Sequence, residues 1–144
     1  MMDDVEINKS ATVRRCLERI DEEFQGQFKN LNDFKTEDSI VLNLLRACEA
    51  VIDLAMHRIA QGKLGIPQNS RDAFELLLQG GILTPDVALS MKNMVGFRNL
   101  AVHNYQKLQR PVLESILMNH LGDFETFLTQ IKTSPQPRPA SYFP

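Results

Sequence analysis

Arg98, His103 and Tyr105 are the residues of this chain whose types and spacing suit chemistry. They lie in Gly96-Phe97-Arg98-Asn99-Leu100-Ala101-Val102-His103-Asn104-Tyr105, among apolar neighbours. Packing alone requires none of the three there. An arginine presents a planar fork of N–H donors that fits a phosphate, above all one gathering charge in a transition state. A histidine, with a reference pKa of ~6.5, takes or gives a proton at neutral pH. RNA carries its own nucleophile, the 2′-hydroxyl. A proton-transfer group beside an anion stabiliser is therefore enough to cut RNA without metal, leaving a 2′,3′-cyclic phosphate. No carboxylate pair of the metal-site kind accompanies the trio, so a two-metal nuclease is disfavoured and neither metal nor cofactor is expected. Each residue also has a plain structural reading: an arginine capping helix carbonyls, a histidine satisfied in the core, a tyrosine packing its ring.

Charge singles out the same segment. Between Val87 and Leu113 there is no Asp or Glu, whereas Lys92, Arg98, Lys107 and Arg110 are present. The chain as a whole has a formal net charge of −2, against a protein that coats nucleic acid. The expectation is positive potential at one point, suited to a single phosphodiester, with Lys107 as a further phosphate contact. Arg46, Asp53 and His57 gather on the polar strip of one helix and are candidates for lining the same cleft, the alternative being a solvated face or dimer hydrogen bonds. Ser90 and Ser115 have no neighbouring base, and His120, beside an apolar stripe, reads as structural.

Geometry imposes a condition on the trio. Five residues of regular helix turn through ~500°, so Arg98 and His103 point about 140° apart. They converge only if the helix distorts or ends between them, or if a second chain completes the site.

The elements that must hold these residues are helical. Val13, Cys16, Leu17, Ile20 and Phe24 recur every three or four positions, which predicts a helix from about Asn8 to Phe28. A second helix is expected from a cap at Thr36 to Gln61, stopping at Gly62. Its apolar residues spread beyond one stripe to Ile40, Ala47 and Leu54, as in a helix central to a bundle or at a subunit interface. Ser70 reads as the cap of a short helix from Arg71 to Gln79, and Thr84-Pro85-Asp86 starts a fourth that ends between His103 and Leu108. Pro111 opens one closing helix with Leu113, Ile116, Leu117, Leu121, Phe124, Leu128 and Ile131 inward. No segment alternates with period two. The fold class is all-α, an antiparallel bundle of four main helices and one short one.

The 144 residues, 43% hydrophobic, make one domain over 1–132, followed by a proline-rich tail over 133–144 expected to be disordered. Cys16 and Cys48 have no metal-ligand spacing and fall on apolar stripes, so both are expected as buried free thiols. The acidic N-terminus lacks a signal-peptide layout and no apolar run approaches a membrane span, so a cytoplasmic location is expected.

Arg98-Asn99-Leu100-Ala101-Val102-His103-Asn104-Tyr105, preceded by Val95-Gly96-Phe97, resembles the signature of the HEPN superfamily. It is similar to the HepT toxins, partners of minimal nucleotidyltransferase (MntA-type) antitoxins in toxin–antitoxin systems of the type VII kind. The resemblance runs over roughly residues 8 to 132 and includes the Leu42 to Ala50 helix and the Ser70-Arg71-Asp72-Ala73-Phe74 segment. It implies a homodimeric helical bundle with metal-independent endoribonuclease activity at the dimer cleft. It assigns Arg98 and His103 to catalysis, with Asn99 as the polar residue accompanying the arginine. It makes Tyr105 the acceptor of AMP from the partner nucleotidyltransferase, which silences the toxin. Two other classes stay open: a non-catalytic binding subunit of a nucleotidyltransferase, and a plain helical dimerisation domain in which the trio is structural.

Overall fold

The structure is a computed structural model, and it describes residues 3–134. The proline-rich stretch beyond residue 134 lies outside the described residues. Helix α1 spans Asp4–Phe24, α2 Phe34–Gly62, α3 Ser70–Gln79, α4 Pro85–His103, α5 Arg110–Asn119 and α6 Leu121–Thr133, with single 3-10 turns at Phe28–Asn32 and Tyr105–Lys107. The all-α class is as expected, with six helices in place of five.

The helix ends differ from their expected positions for local reasons. Asp3 caps α1, its Oδ1 accepting from the Glu6 N–H at 2.9 Å, so the helix starts earlier than its apolar stripe. It ends at Phe24 because Gln25 and Gly26 both turn left-handed, with φ of 54° and 69°. Asp33, and not Thr36, occupies the cap position of α2, and the Thr36 hydroxyl donates back to Asp33 Oδ2 at 2.9 Å. Asn69, and not Ser70, caps α3, accepting from the Asp72 N–H at 2.8 Å. That leaves the Ser70 hydroxyl free for a tertiary contact. The expected single closing helix is two: the chain leaves helical geometry at His120 (φ −126°, ψ −2°), whose Nδ1 pairs with Asp123 Oδ2 at 2.9 Å. His120 thus stands at the break between α5 and α6.

Helix α2 is the axis of the molecule. Ile40, Leu44, Ala47, Leu54 and Ala55 are fully buried, covered by α1, α3 and α4. Its spread of apolar residues marks a central helix. Phe74 of α3 meets Phe127 of α6 edge-on, ring centroids 5.7 Å apart, and locks the far side of the bundle. Cys16 and Cys48 are free and buried, and burial pushes the Cys48 thiol up to about 12. No helix among the described residues is long and apolar enough to cross a membrane.

Candidate functional site

Helix α4 begins with Pro85 at its first position, where a missing N–H costs nothing, and runs without a break to His103. Arg98 and His103 thus sit on regular helix and point to different sides, about 140° apart. Within one chain they do not converge.

Arg98 turns inward, to α2 and α3. Its Nη1 lies 3.1 Å from Glu49 Oε1 and its Nη2 donates to Ser70 Oγ at 2.8 Å. Its Nε is buried without a hydrogen-bond partner. The guanidinium forms one wall of a concavity of about 410 Å³ lined by Asn69, Ser70, Arg71, Val95, Arg98 and Asn99. Asn99 accompanies the arginine there. A guanidinium has five donors, so the two contacts that fix its plane leave N–H groups for an anion.

His103 is exposed and makes no hydrogen bond or ion pair among the described residues. It is the last residue of α4. Tyr105 follows in the 3-10 turn, 42% exposed, and its hydroxyl donates to Asp38 Oδ1 at 2.8 Å. Partial burial, the hydrogen bond to Asp38 and the nearby Asp38 and Glu37 charges push its phenol up to about 12.

The basic character expected of this segment is largely cancelled in three dimensions. Lys92 is bound to Glu75 at 2.5 Å, Arg98 to Glu49, and Arg110 to Glu114 at 3.3 Å. The acids absent from the segment itself arrive from α2, α3 and α5. Lys107 is exposed without a partner among the described residues and remains available to an anion.

The polar strip of α2 divides. Asp53 is paired with Lys9 at 2.9 Å, and His57 Nε2 meets Asp3 Oδ2 at 2.6 Å, so both are engaged by α1 and not by the Arg98 concavity. The strip faces the antiparallel α1, which covers its C-terminal part. Arg46, higher on the strip, is exposed beside Arg15 and Arg19. One trio among the described residues, Asp3, Glu6 and His57, brings ligating atoms within 4.8 Å of one another as a metal site would. Its Asp3 is already bonded by His57 and Gln61, and Glu6 lies 3.7 Å from Arg58 Nη1, so the group is accounted for as the α1–α2 junction.

Three residues that shape the site were not singled out from the sequence: Glu49, Ser70 and Asp38. Glu49 sits 60° from Arg46 around α2, on the flank toward α4, which is the signal that could have paired it with an arginine there.

A family model described as HepT-like, "Ribonuclease HepT-like", matches residues 13–131. The chain is 46% identical over 131 residues to a protein of Shewanella oneidensis named mRNA nuclease HepT, covering 91% of this chain and 98% of that relative. It is similar to a tri-AMPylated Shewanella oneidensis HEPN toxin solved in complex with an MNT antitoxin, at 46% identity and a TM-score of 0.87 over 92% of this chain and 100% of that one. A toxin–antitoxin structure with AMP-PNP matches at 46% identity and a TM-score of 0.85, again over 92% of this chain and 100% of the other.

Proposed function

The chain belongs to the HepT-like ribonuclease family, and from that footing we propose that it is the toxin of a toxin–antitoxin pair, an endoribonuclease silenced by AMP transfer. It acts as a homodimer in the cytoplasm, where its RNA substrate and ATP are both at hand. Its partner is a nucleotidyltransferase antitoxin, as the similar toxin is solved with an MNT antitoxin. The observation that carries the reading is the trio at the end of α4, in a chain that matches a named mRNA nuclease over 91% of its length.

The residues have separate roles. His103, exposed and unbonded, takes the proton of the RNA 2′-hydroxyl as that oxygen attacks the adjacent phosphorus. Arg98, its plane fixed by Glu49 and Ser70, holds the phosphate oxygens as charge collects on them. Asn99 and Lys107 add polar contacts to the same phosphate. The 5′-oxygen leaves, taking up a proton from water as the proton held on His103 returns to solvent, and a 2′,3′-cyclic phosphate remains, so none of these steps needs a metal. Because Arg98 and His103 diverge on one helix, the cutting pair is assembled across two chains. Tyr105 accepts AMP: a bond forms from the phenol oxygen to the α-phosphorus of ATP, pyrophosphate leaves, and the added phosphate obstructs the RNA site.

The test is cleavage of single-stranded RNA in EDTA by the full chain. Wild type is expected to cut, and His103→Ala and Arg98→Ala to lose at least ~100-fold. Unchanged cleavage by both variants would overturn the assignment. Wild type that cuts nothing yet still accepts AMP on Tyr105 would make the chain a non-catalytic partner of the transferase.

A further inference from the structure

Among the described residues, Arg14, Arg98 and Arg110 are ion-paired, Arg58 is buried against Glu6, and Arg71 donates to the Lys92 carbonyl. Arg15, Arg19 and Arg46 alone among the described arginines have neither an ion pair nor a hydrogen bond. All three line one narrow cleft of about 240 Å³ between α1 and α2, with Thr12, Cys16 and Asn43 and without an acid. Arg19, Asn43 and Arg46 also line an adjoining opening of about 450 Å³, together with Glu22, Glu23, Ser39 and Leu42.

Two further observations point to a ligand. Asn43 is 3% exposed; its Nδ2 donates to the Ser39 carbonyl at 2.9 Å, while its Oδ1 is buried without a hydrogen-bond partner. A phosphate has no donor for that oxygen, but the hydroxyl of an attached ribose has one. Burial pushes the Cys16 thiol up while Arg46, Arg15 and Arg19 act on it in the opposite sense, as three guanidinium groups around the cleft floor would. Like charges one turn apart, as at Arg15 and Arg19, cost helix stability until an anion joins them.

Helix α2 ties this cleft to both parts of the site. Arg46 is three residues, ~4.5 Å of helix rise, from Glu49, which holds Arg98. In the other direction, Ser39 at the rim of the opening adjoins Asp38, which holds Tyr105. We infer that Arg15, Arg19 and Arg46 form a ribonucleotide phosphodiester site, whose Arg46 lies on α2 within three residues of Glu49, which holds Arg98, and whose adjoining opening is lined by Ser39, one residue from the Asp38 that holds Tyr105. The phosphodiester comes either from an RNA strand extending beyond the scissile bond or from AMP units on Tyr105. The inference rests on the RNA-cutting reading above.

The experiment measures binding of a fluorescent single-stranded RNA by full-length protein carrying His103→Ala, which keeps the RNA whole. Arg15→Gln, Arg19→Gln and Arg46→Gln are each expected to weaken binding roughly fivefold or more, and to flatten the slope of log K against log salt by about 0.7 per arginine. Arg14→Gln, which removes the pair with Glu125 outside the cleft, is expected to change neither. Binding of wild-type strength and slope in all three single variants and in the triple variant, with no shift of the three arginines on AMP transfer, would overturn the site. So would unchanged RNA binding with loss of the partner protein, which would assign the cleft to an acidic protein surface. Failure of the catalytic reading looks different: the chain with His103 intact does not cut RNA in EDTA. The source is read from arginine side-chain NMR. Shifts of Arg15, Arg19 and Arg46 on AMP transfer assign the AMP units, shifts on RNA addition alone assign the strand, and shifts with neither overturn the inference.

Discussion

Tyr105 shows how a distant residue sets the chemistry of a motif. Its neighbours in sequence supply no acid, yet its hydroxyl is held by Asp38, 67 positions away. With the phenol raised to about 12 against an unfolded value of ~10, the protonated form is favoured in the fold. That contribution is complete below pH ~10 and is lost as pH rises through about 12. Asp38→Asn removes the hydrogen-bonding carboxylate and its charge. In a Tyr142→Phe background, its ultraviolet titration is expected to move Tyr105 down toward the ordinary phenol range. Asp38 is also the nearest acceptor for the proton that leaves the phenol, so the same variant is expected to slow AMP transfer by about tenfold or more. A titration that does not move removes Asp38 from both roles. Arg98, His103 and Tyr105 were legible in the sequence because their types and spacing are local. Glu49, Ser70 and Asp38 were not, because pairing across helices has no local pattern; Arg98 finds Ser70 28 positions away.

Helices were legible wherever a stripe of apolar residues recurs, and their ends were not. The pattern from Leu117 to Phe124 keeps its helical period across the break at His120, so periodicity carries no sign of the two closing helices. Thr36 and Ser70 are good capping residues, but Asp33 and Asn69 stand just ahead of them and occupy the cap positions. The junction of α1 with α2 was legible as two apolar faces but not as a charge pair. Glu6 is fully buried and Arg58 1% exposed, with Glu6 Oε1 3.7 Å from Arg58 Nη1. Burial raises the Glu6 carboxyl and Arg58 opposes the rise. Arg58→Met strands that carboxylate, raises it further, and is expected to cost ~3 kcal/mol at neutral pH. As pH falls and Glu6 takes a proton the cost shrinks, so urea melts at neutral and mildly acidic pH differ in the variant more than in wild type. Glu6→Leu added to Arg58→Met is expected to recover the pH-dependent part of the loss, while the part due to the Arg58 Nη2 hydrogen bond to Ser134 Oγ at 2.7 Å remains. A cost that is independent of pH would mean that Glu6 is not the group left stranded.

At the scale of the whole molecule, the middle of α2 fills the centre, and one group of exposed apolar residues lies on α4 and α5. Leu89 and Val102 on α4 are 59% and 50% exposed, and Val112 and Met118 on α5 are 42% and 56% exposed. They border the helix that carries Arg98 and His103, so a second copy set against α4 would bring its own trio with it. This divides the cutting pair in a way that can be counted. If each site takes Arg98 from one chain and His103 from the other, Arg98→Ala and His103→Ala chains are each inactive alone. Co-expressed, they form heterodimers in which one site has lost both groups and the other has kept both. Random pairing then gives heterodimers in half of the dimers, with half of their sites intact, or about a quarter of wild-type activity. If both groups of a site come from the same chain, every site in the mixture lacks one of them and the mixture stays inactive. Purification through a different tag on each chain keeps only the heterodimers, so RNA cleavage by that preparation is expected to be restored to about half of wild type. Silence in that preparation would place the cutting pair within a single chain, against the divergence of Arg98 and His103 on α4.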